Sequence, residues 1–569
     1  MKNKITLLLN LLMLLLSNIL YSQVTSIEVA VNQNNFSNFD RNIQEIQNLP
    51  YPIVFIHGLN SDSNVWNEMK DFMTTNLGLS YGGRLDFCLN DNGSNTSNNK
   101  LVYPTTNADI HRYNNMTLTN ADFYLINFDV SWVGVPFTNS SNDVLSNEAA
   151  IVKQGVALNL AIEEILQVTG RDKVVLFGHS MGGLAAREYL QNQTNWQSDG
   201  NHHVAKLITT GTPHGGYEGT AIVSNPTDPI DWQSDAYRDL RHSYFVSQND
   251  GVYLFGGTES FSVMNNNIFY DFYNVDVNCN GVINESIVGL NQKSLWSDVD
   301  YAYIIGQCTG CPTSFEGDGV VRDYNANFSN FYTFPLPKNE FIYSAVAALE
   351  IHSDLPKQII QNMQALDEPN ERWIGYELEY NKIYKGYIYN QPVSGYTFDY
   401  DDYKFFVNGN SQVNILINNI TSSVLYAKIF DTDGNQIGTT FSGNPSSAIN
   451  ISQQLNTGNY ILEIFATPVL TSTIYPYNFS LTTNLSTDDF ESNDFIVHPN
   501  PTSSKIFITS KEYVSSYEIY NTLGQKVKEG SFNAVLEQEE LDLTELQSGL
   551  YILNFNGEKM SKSVRIVKQ

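Results

Sequence analysis

Positive charge is scarce in this chain. Lys and Arg number 31 against 60 Asp and Glu in 569 residues, a formal net charge of −29. A surface of that sign repels phosphate backbones and anionic headgroups, which argues against nucleic acid or an anionic membrane as a partner held by charge. Cysteine is rarer still. The four are Cys88, Cys279, Cys308 and Cys311, with one Cys-x-x-Cys pair at 308 and 311. A zinc site or a redox pair would call for a second such pair or thioredoxin-like surroundings, so a local Cys308–Cys311 disulfide is the expectation. Long apolar runs are missing beyond the N-terminus. There, Lys2 and Lys4 precede Ile5 to Leu16, broken only by Asn10, and the small Ser22 stands at a plausible cleavage point. Residues 1–22 therefore read as a signal peptide, too short to span a bilayer comfortably, and an exported mature chain with no transmembrane anchor is expected.

What is present divides the chain into three. The length exceeds what one core supports, and 42% hydrophobic residues suffice for packed domains. The most informative stretch is KVVLFGHSMGGLAAREYL, Lys173 to Leu190. A β-branched run enters Gly178-His179-Ser180-Met181-Gly182, and a small-residue helical pattern follows with no room for a loop. Strand, sharp turn and helix in that order lift one serine hydroxyl above the carboxyl edge of a parallel sheet, which makes Ser180 the candidate nucleophile.

The flanking segments alternate strand and helix. YPIVFIHG, Tyr51 to Gly58, is a buried strand ending in a His-Gly turn, with a helix near Val65 to Phe72. In acyl-transfer sites of this architecture, the N–H after such a turn and the N–H after the nucleophile face the developing oxyanion, here Leu59 and Met181. Gly82 to Asn120 is polar and aperiodic, a surface insertion. Strands at Phe123 to Phe128, Val204 to Thr209, Tyr301 to Ile305 and Phe341 to Leu349, and a helix over Glu148 to Val168, predict an α/β fold with a mainly parallel sheet and helices on both faces. Residues 217–296 interrupt the alternation with scattered aromatics and read as a cap over the edge that carries Ser180. Asp276 to Gly281 begins like a calcium loop, but Ile287 stands where the bidentate acid is needed.

A serine hydroxyl needs an imidazole to take its proton and a carboxylate to orient that imidazole. The chain order Ser, acid, His is met by Ser180, Asp318 and His352, where Asp318 lies between glycines after a strand and His352 follows the last strand. Asp298, Asp300, Glu316 and Asp323 compete for the acid. Of the other histidines, His179 is adjacent to Ser180 and should point away from it, His57 and His214 belong to loop turns, and His202 and His203 sit in a polar loop before a strand.

VFIHGL, GHSMGGLAAR, TTGTPHGG, GDGVV and IHSD, in that order between Tyr51 and Leu366, resemble bacterial lipases and esterases of the α/β-hydrolase superfamily, near the GPI inositol deacylase group. The resemblance implies an α/β-hydrolase domain over 23–366, Ser180 as nucleophile, Asp318 as acid, His352 as base, and Leu59 and Met181 as oxyanion donors. It implies no organic cofactor. It also places Asp354, two residues after the histidine, where related lipases bind a structural calcium.

Asp367 to Arg372 reads as a linker. Strand signals then dominate residues 376–485 (KFFV, QVNILI, VLYAKIF, NYILEIFA, YNFSLTT), which resemble a β-sandwich of the pre-peptidase C-terminal type. After a polar linker, residues 495–569 carry FIVHPNPTSSKIFI, YEIYNTLGQKV, LDLTELQSGLYIL and SVRIVKQ. These blocks resemble the C-terminal sorting domain of type IX secretion substrates, which implies the secretion machinery as a partner and a secreted or cell-surface destination. The expected activity is hydrolysis of carboxylic, lipid-type esters through an acyl-serine. The alternatives are amide or thioester hydrolysis or acyl transfer by the same groups, or a surface-binding protein with an inert hydrolase fold.

Overall fold

Short apolar runs buried on both sides form the centre of the first domain. In the computed structural model these runs are β1 (Ile53–Ile56), β4 (Phe123–Asn127), β5 (Val174–His179) and β6 (Val204–Thr210), in which every residue is buried. The structure describes residues 28–32, 45–89, 110–130, 146–217, 286–309, 317–332, 338–346, 351–389, 399–466, 473–484, 495–521, 525–556 and 561–569, with short pieces between 236 and 278. The signal peptide, most of the 217–296 cap, Glu316, Cys279 and Cys311 lie outside them. Cys308 is disulfide-bonded, and Cys88 is buried at the end of a strand.

With β2 (Tyr81–Cys88), β3 (His111–Tyr113), β7 (Asp300–Thr309) and β8 (Lys338–Val346), these strands make an eight-stranded sheet in the order β8-β7-β6-β5-β1-β4-β2-β3. All neighbours are parallel except β2 and β3. Side chains alternate across the sheet. Val54, Ile56, Val174 and Leu176 pack with the apolar stripes of α2 (Ile151–Thr169) and α3 (Met181–Gln191). Ile53, Phe55, Val175 and Phe177 face the other way, toward Trp66 and the methionines Met69 and Met73 of α1 (Asn67–Thr75). The first helical turn after β1 is a 3₁₀ turn, Ser63–Trp66, which Asp62 caps by accepting from the Asn64 N–H. Gly170, at φ 68°, closes α2.

The second face is covered differently from the sequence expectation of a hydrolase domain, a linker and a separate sandwich. One continuous apolar cluster runs from Phe55, Phe177 and Trp66 through Met363 of α4 (Ile359–Leu366) to Tyr384, Tyr403, Ile415, Leu462 and Phe479. The sandwich has two sheets. One comprises the strands at 376–377, 399–407, 425–431, 436–443 and 458–466. The other has six strands, at 382–389, 411–418, 449–455 and 473–484, plus two from the chain before β1, Glu28–Val29 and Glu45–Asn48. Both N-terminal strands pair in parallel with sandwich strands, so the chain enters through the sandwich before building the hydrolase sheet. Residues 1–483 accordingly form one compact unit, and residues 484–569 a second. The second is a five-stranded antiparallel sheet around Ile506, Ile508, Ile519, Leu553 and Phe555.

Asp367 and Glu368, read as linker residues, are buried where the halves of the first unit meet. The Lys206 ammonium donates to the Asp367 carbonyl at 2.7 Å and pairs with Asp300 at 2.8 Å. Glu368 accepts from the Tyr403 hydroxyl at 3.1 Å, Asp399 from the Tyr389 N–H at 2.5 Å, and Asp401 from the Tyr477 hydroxyl. One ammonium cannot balance this many buried carboxylates. Burial, reinforced by neighbouring acids, raises Asp367 and Asp401 well above the usual range and lifts Glu368 to about 8. Burial alone lifts Asp399 to about 6, against the lowering pull of its hydrogen bonds and of Lys206. These acids titrate near about 4 when unfolded, so the folded chain holds more protons between that pH and 8, and its stability declines as pH rises through the window. The melting temperature in metal-free buffer should fall from pH 5 to pH 8. Glu368→Gln together with Asp399→Asn should flatten the slope, and a wild-type melting temperature rising over that range would contradict this description.

Candidate active site

Four strand ends meet at the carboxyl edge. Ile56 of β1 is paired with Gly178 of β5, His179 with Thr210 of β6, and Thr210 with Ile304 of β7. The next residue after β5 is Ser180, at φ 53° and ψ −128°. Its backbone is held on both sides, because its N–H donates to Thr210 O at 2.9 Å and its carbonyl accepts from Gly183 N–H at 3.1 Å. The turn is tight enough that a Cβ on Gly178 would lie 2.4 Å from Gly183 N.

Asp318 occupies a turn after β7, closed by the Gly317–Arg322 bridge and by its own N–H donating to Val321 O at 3.1 Å. Its Oδ1 accepts from the Val320 and Val321 N–H groups at 2.9 and 2.7 Å, which leaves Oδ2 for His352 Nδ1 at 2.7 Å. His352 begins a 3₁₀ helix, His352–Lys357. Its Nε2 lies 2.9 Å from Ser180 Oγ. Ile351 N–H donates to Asp318 O at 2.9 Å, so acid and imidazole are also tied through their backbones. The three side chains form one hydrogen-bonded line, each at most 9% exposed.

The described rivals for the acid stand elsewhere. Asp298 pairs with His202 at 3.3 Å, Asp300 with Lys206, and Asp323 accepts from the Tyr324 N–H at 2.6 Å. Leu59 follows Gly58, where a Cβ would come within 2.6 Å of Ser180 Cβ and 3.2 Å of its Oγ, so the loop backbone runs against the serine. Met181 is the first residue of α3, where N–H groups have no intrahelical acceptor and the helix dipole is positive. Asp354 is half exposed and accepts from Lys357 at 2.7 Å. Among the described residues, the carboxylates with one ligand atom each inside a common 4.8 Å are Asp367, Glu368 and Asp401, on the buried seam.

Sequence reasoning missed several supporting residues. His179, expected only to point away from Ser180, contacts His352 O through its Nε2 at 2.9 Å. Burial, with His352 beside it, keeps its ring neutral at ordinary pH. His214 stacks on Phe328 at 3.9 Å between ring centroids. Asp129, raised to about 6 by burial and by Asp62, accepts from Asn147, which also donates to Ser61 O at 2.9 Å. Arg187, fully buried on α3, donates to Gln191, Asn291 and Tyr332 at 2.8 to 2.9 Å, contacts His214 at 3.2 Å, and lies over the Phe328 ring. Only their meeting in space marks them, since each is an ordinary polar residue in its own segment. Arg187→Ala strands several buried acceptors and should cost about 3 kcal/mol or more. Arg187→Lys, lacking the planar fork, should recover only part of that. Urea unfolding midpoints measure both, and a loss below about 1 kcal/mol for the alanine variant would contradict the assignment.

Residues 51–295 match the family model described as alpha/beta hydrolase fold, and residues 496–569 match the secretion system C-terminal sorting domain. A search of curated proteins finds no match. Among solved structures, Bacillus licheniformis lipase BlEst2 in its propeptide form is 15% identical, covering 92% of this chain and 94% of that one at a TM-score of 0.26. Naproxen esterase (carboxylesterase NP) from Bacillus subtilis is 10% identical, covering 56% and 84% at 0.23. The pre-peptidase C-terminal domain of collagenase from Bacillus anthracis is 17% identical, covering 20% of this chain and 99% of that domain at 0.16. Among the described residues, no helix is long and apolar enough to cross a membrane. Residues 51–295 thus carry the α/β hydrolase fold, and residues 496–569 match a C-terminal sorting domain, which indicates type IX secretion to the cell surface or the extracellular space.

Proposed function

We propose that this protein is a secreted serine hydrolase of carboxylic, lipid-type esters, with Ser180 as nucleophile, His352 as general base and acid, and Asp318 as the orienting carboxylate. The observation that carries this reading is the line Ser180 Oγ, His352 Nε2 and Nδ1, Asp318 Oδ2, at 2.9 and 2.7 Å. Asp318, an acceptor toward two backbone N–H groups, takes the Nδ1 proton of His352 as a hydrogen bond, which leaves Nε2 as a lone pair facing the serine hydroxyl. As Oγ attacks an ester carbonyl, Nε2 takes its proton and the imidazolium is stabilised by Asp318. The oxyanion is met by the N–H groups of Leu59 and Met181, the latter at the positive end of α3. His352 returns the proton to the departing alkoxide, leaving an acyl-Ser180. Water activated by the same imidazole then releases the acid. No step requires an organic cofactor or a metal, and Asp354 as a calcium ligand is a separate, structural proposal.

A second reading, surface binding, rests on the sandwich. A groove of about 890 Å³ there is lined by Trp373, Tyr400, Phe406, Arg372, Lys404 and Glu463 among others, and Trp373 and Phe406 are more than half exposed. The two readings separate in one assay. The mature chain should hydrolyse p-nitrophenyl esters from acetate to palmitate, with the longer acyl chains favoured. Ser180→Ala should lower kcat by about 10⁴-fold or more. Equal inactivity of both proteins across the series would favour surface binding.

A further inference from the structure

Leu355 is fully buried, and no step of the proposed reaction uses it. It stands three residues after His352 in the 3₁₀ helix His352–Lys357. Side chains three apart eclipse one another in a 3₁₀ helix, so Leu355 lies on the same side of the helix as the imidazole. Two glycines make room for it. Gly211 follows β6 at φ 58°, with its N–H donating to Ile304 O at 3.0 Å. A Cβ there would lie 2.5 Å from Leu355 Cδ1 and 3.1 Å from both Asp318 Oδ2 and His352 Nδ1. The leucine methyl and the two ends of the acid–imidazole hydrogen bond therefore converge on one spot. Gly306, in β7, borders the same notch, where a Cβ would lie 2.6 Å from Asp318 Cβ and 3.2 Å from each Leu355 methyl carbon. The leucine is also fixed through its backbone. Asn362 of α4, itself fully buried, donates to the Leu355 and Pro356 carbonyls at 3.3 and 2.9 Å, and the Gln358 N–H donates to Leu355 O at 3.1 Å.

We propose that Leu355 is a positioning residue that seals the Asp318–His352 hydrogen bond from water, seated in the notch that Gly211 and Gly306 leave open. This rests on the serine hydrolase reading above. Among the described residues, Asp318 Oδ2 has His352 as its one hydrogen-bond partner, while Oδ1 is taken by two backbone N–H groups. A carboxylate oxygen has lone pairs for a second donor, and a water at Oδ2 would compete with the imidazole and screen the carboxylate charge. Apolar carbon over that flank leaves the oxygen to the Nδ1 proton alone. The imidazolium that forms as Ser180 attacks then meets an unscreened carboxylate. The ester is bound at Ser180 and not at this covered flank, so the effect falls on kcat and not on KM.

Three variants of the full mature protein separate sealing from filling. Leu355→Met keeps volume and apolarity, Leu355→Asn brings an amide donor beside Oδ2, and Leu355→Ala opens space for water. Two readouts are taken. One is kcat and KM on p-nitrophenyl butyrate, with circular dichroism melts to count folded protein and Ser180→Ala as the blank. The other is the proton NMR resonance of His352 Nδ1–H, sought downfield of the amides and assigned by its loss in His352→Ala. In wild type and the Met variant this resonance should be sharp and survive saturation of the water signal, with kcat values within about threefold of each other. In the Asn and Ala variants it should broaden away by exchange with water, and kcat should fall about 10- to 100-fold with KM within about twofold. Wild-type kcat in either folded Asn or Ala variant, or a loss in the Met variant equal to theirs, would overturn the proposal while leaving the serine hydrolase reading in place. So would a wild-type resonance that exchanges freely with water, a result that needs no variant to fold. An inactive wild type would instead remove the hydrolase reading, and this proposal with it.

Discussion

Ser180 is held at a positive φ that residues with a side chain rarely adopt, and the hydrolase half of the molecule is arranged around keeping it there. Such a conformation costs about 1–3 kcal/mol and survives only where neighbours over-determine it. Here they do. The residue hangs between a central strand buried along its length and a helix whose every residue is buried, with its N–H and its carbonyl both occupied. The strain has a geometric return, because it carries Oγ clear of both elements and into line with His352.

The second constraint is the open face of the sheet. α2 and α3 cover one side, but α1 and α4 supply too little surface for the other, and the β-sandwich completes it with tyrosine-rich strands in a shared core. The two N-terminal strands paired into that sandwich make the arrangement topologically closed, since chain from before and after the hydrolase core meets in one sheet. The cost is a seam of buried acids around a single lysine, which makes this contact sensitive to pH in a way that an all-apolar seam would not be. The sorting domain has its own core and its own sheet, which suits a segment whose role is export.

Much of the first unit was legible because its signals are local. A β-branched run, a Gly-x-Ser-x-Gly turn and a small-residue helix lie within 18 residues, and the order Ser, Asp, His survives any loop length between them. The sandwich strands were legible for the same reason, as alternating apolar patterns. What was not legible is long-range. Glu28–Val29 and Glu45–Asn48 are too short to carry a periodic pattern, and only parallel pairing with strands more than 300 residues away makes them strands. Asp367 and Glu368 sit in a polar, proline-marked stretch that reads as a linker, and nothing local reveals that Lys206 buries against them. His57 looked like a turn residue because its partner, Phe128 N–H, is contributed by another strand's end. Asp318 could be ranked above its rivals but not separated from Asp298, Asp300 and Asp323 until His202, Lys206 and the Tyr324 amide were seen to occupy those three, Glu316 lying outside the described residues.

The most direct test of the account is the site of covalent modification. Mature protein treated with a fluorophosphonate, digested and mapped by mass spectrometry should carry one adduct, on Ser180, in near-stoichiometric yield, because only a hydroxyl facing an imidazole lone pair next to oxyanion donors attacks such a reagent at neutral pH. A folded protein that remains unmodified, or that is modified at another serine while Ser180 stays free, would contradict it.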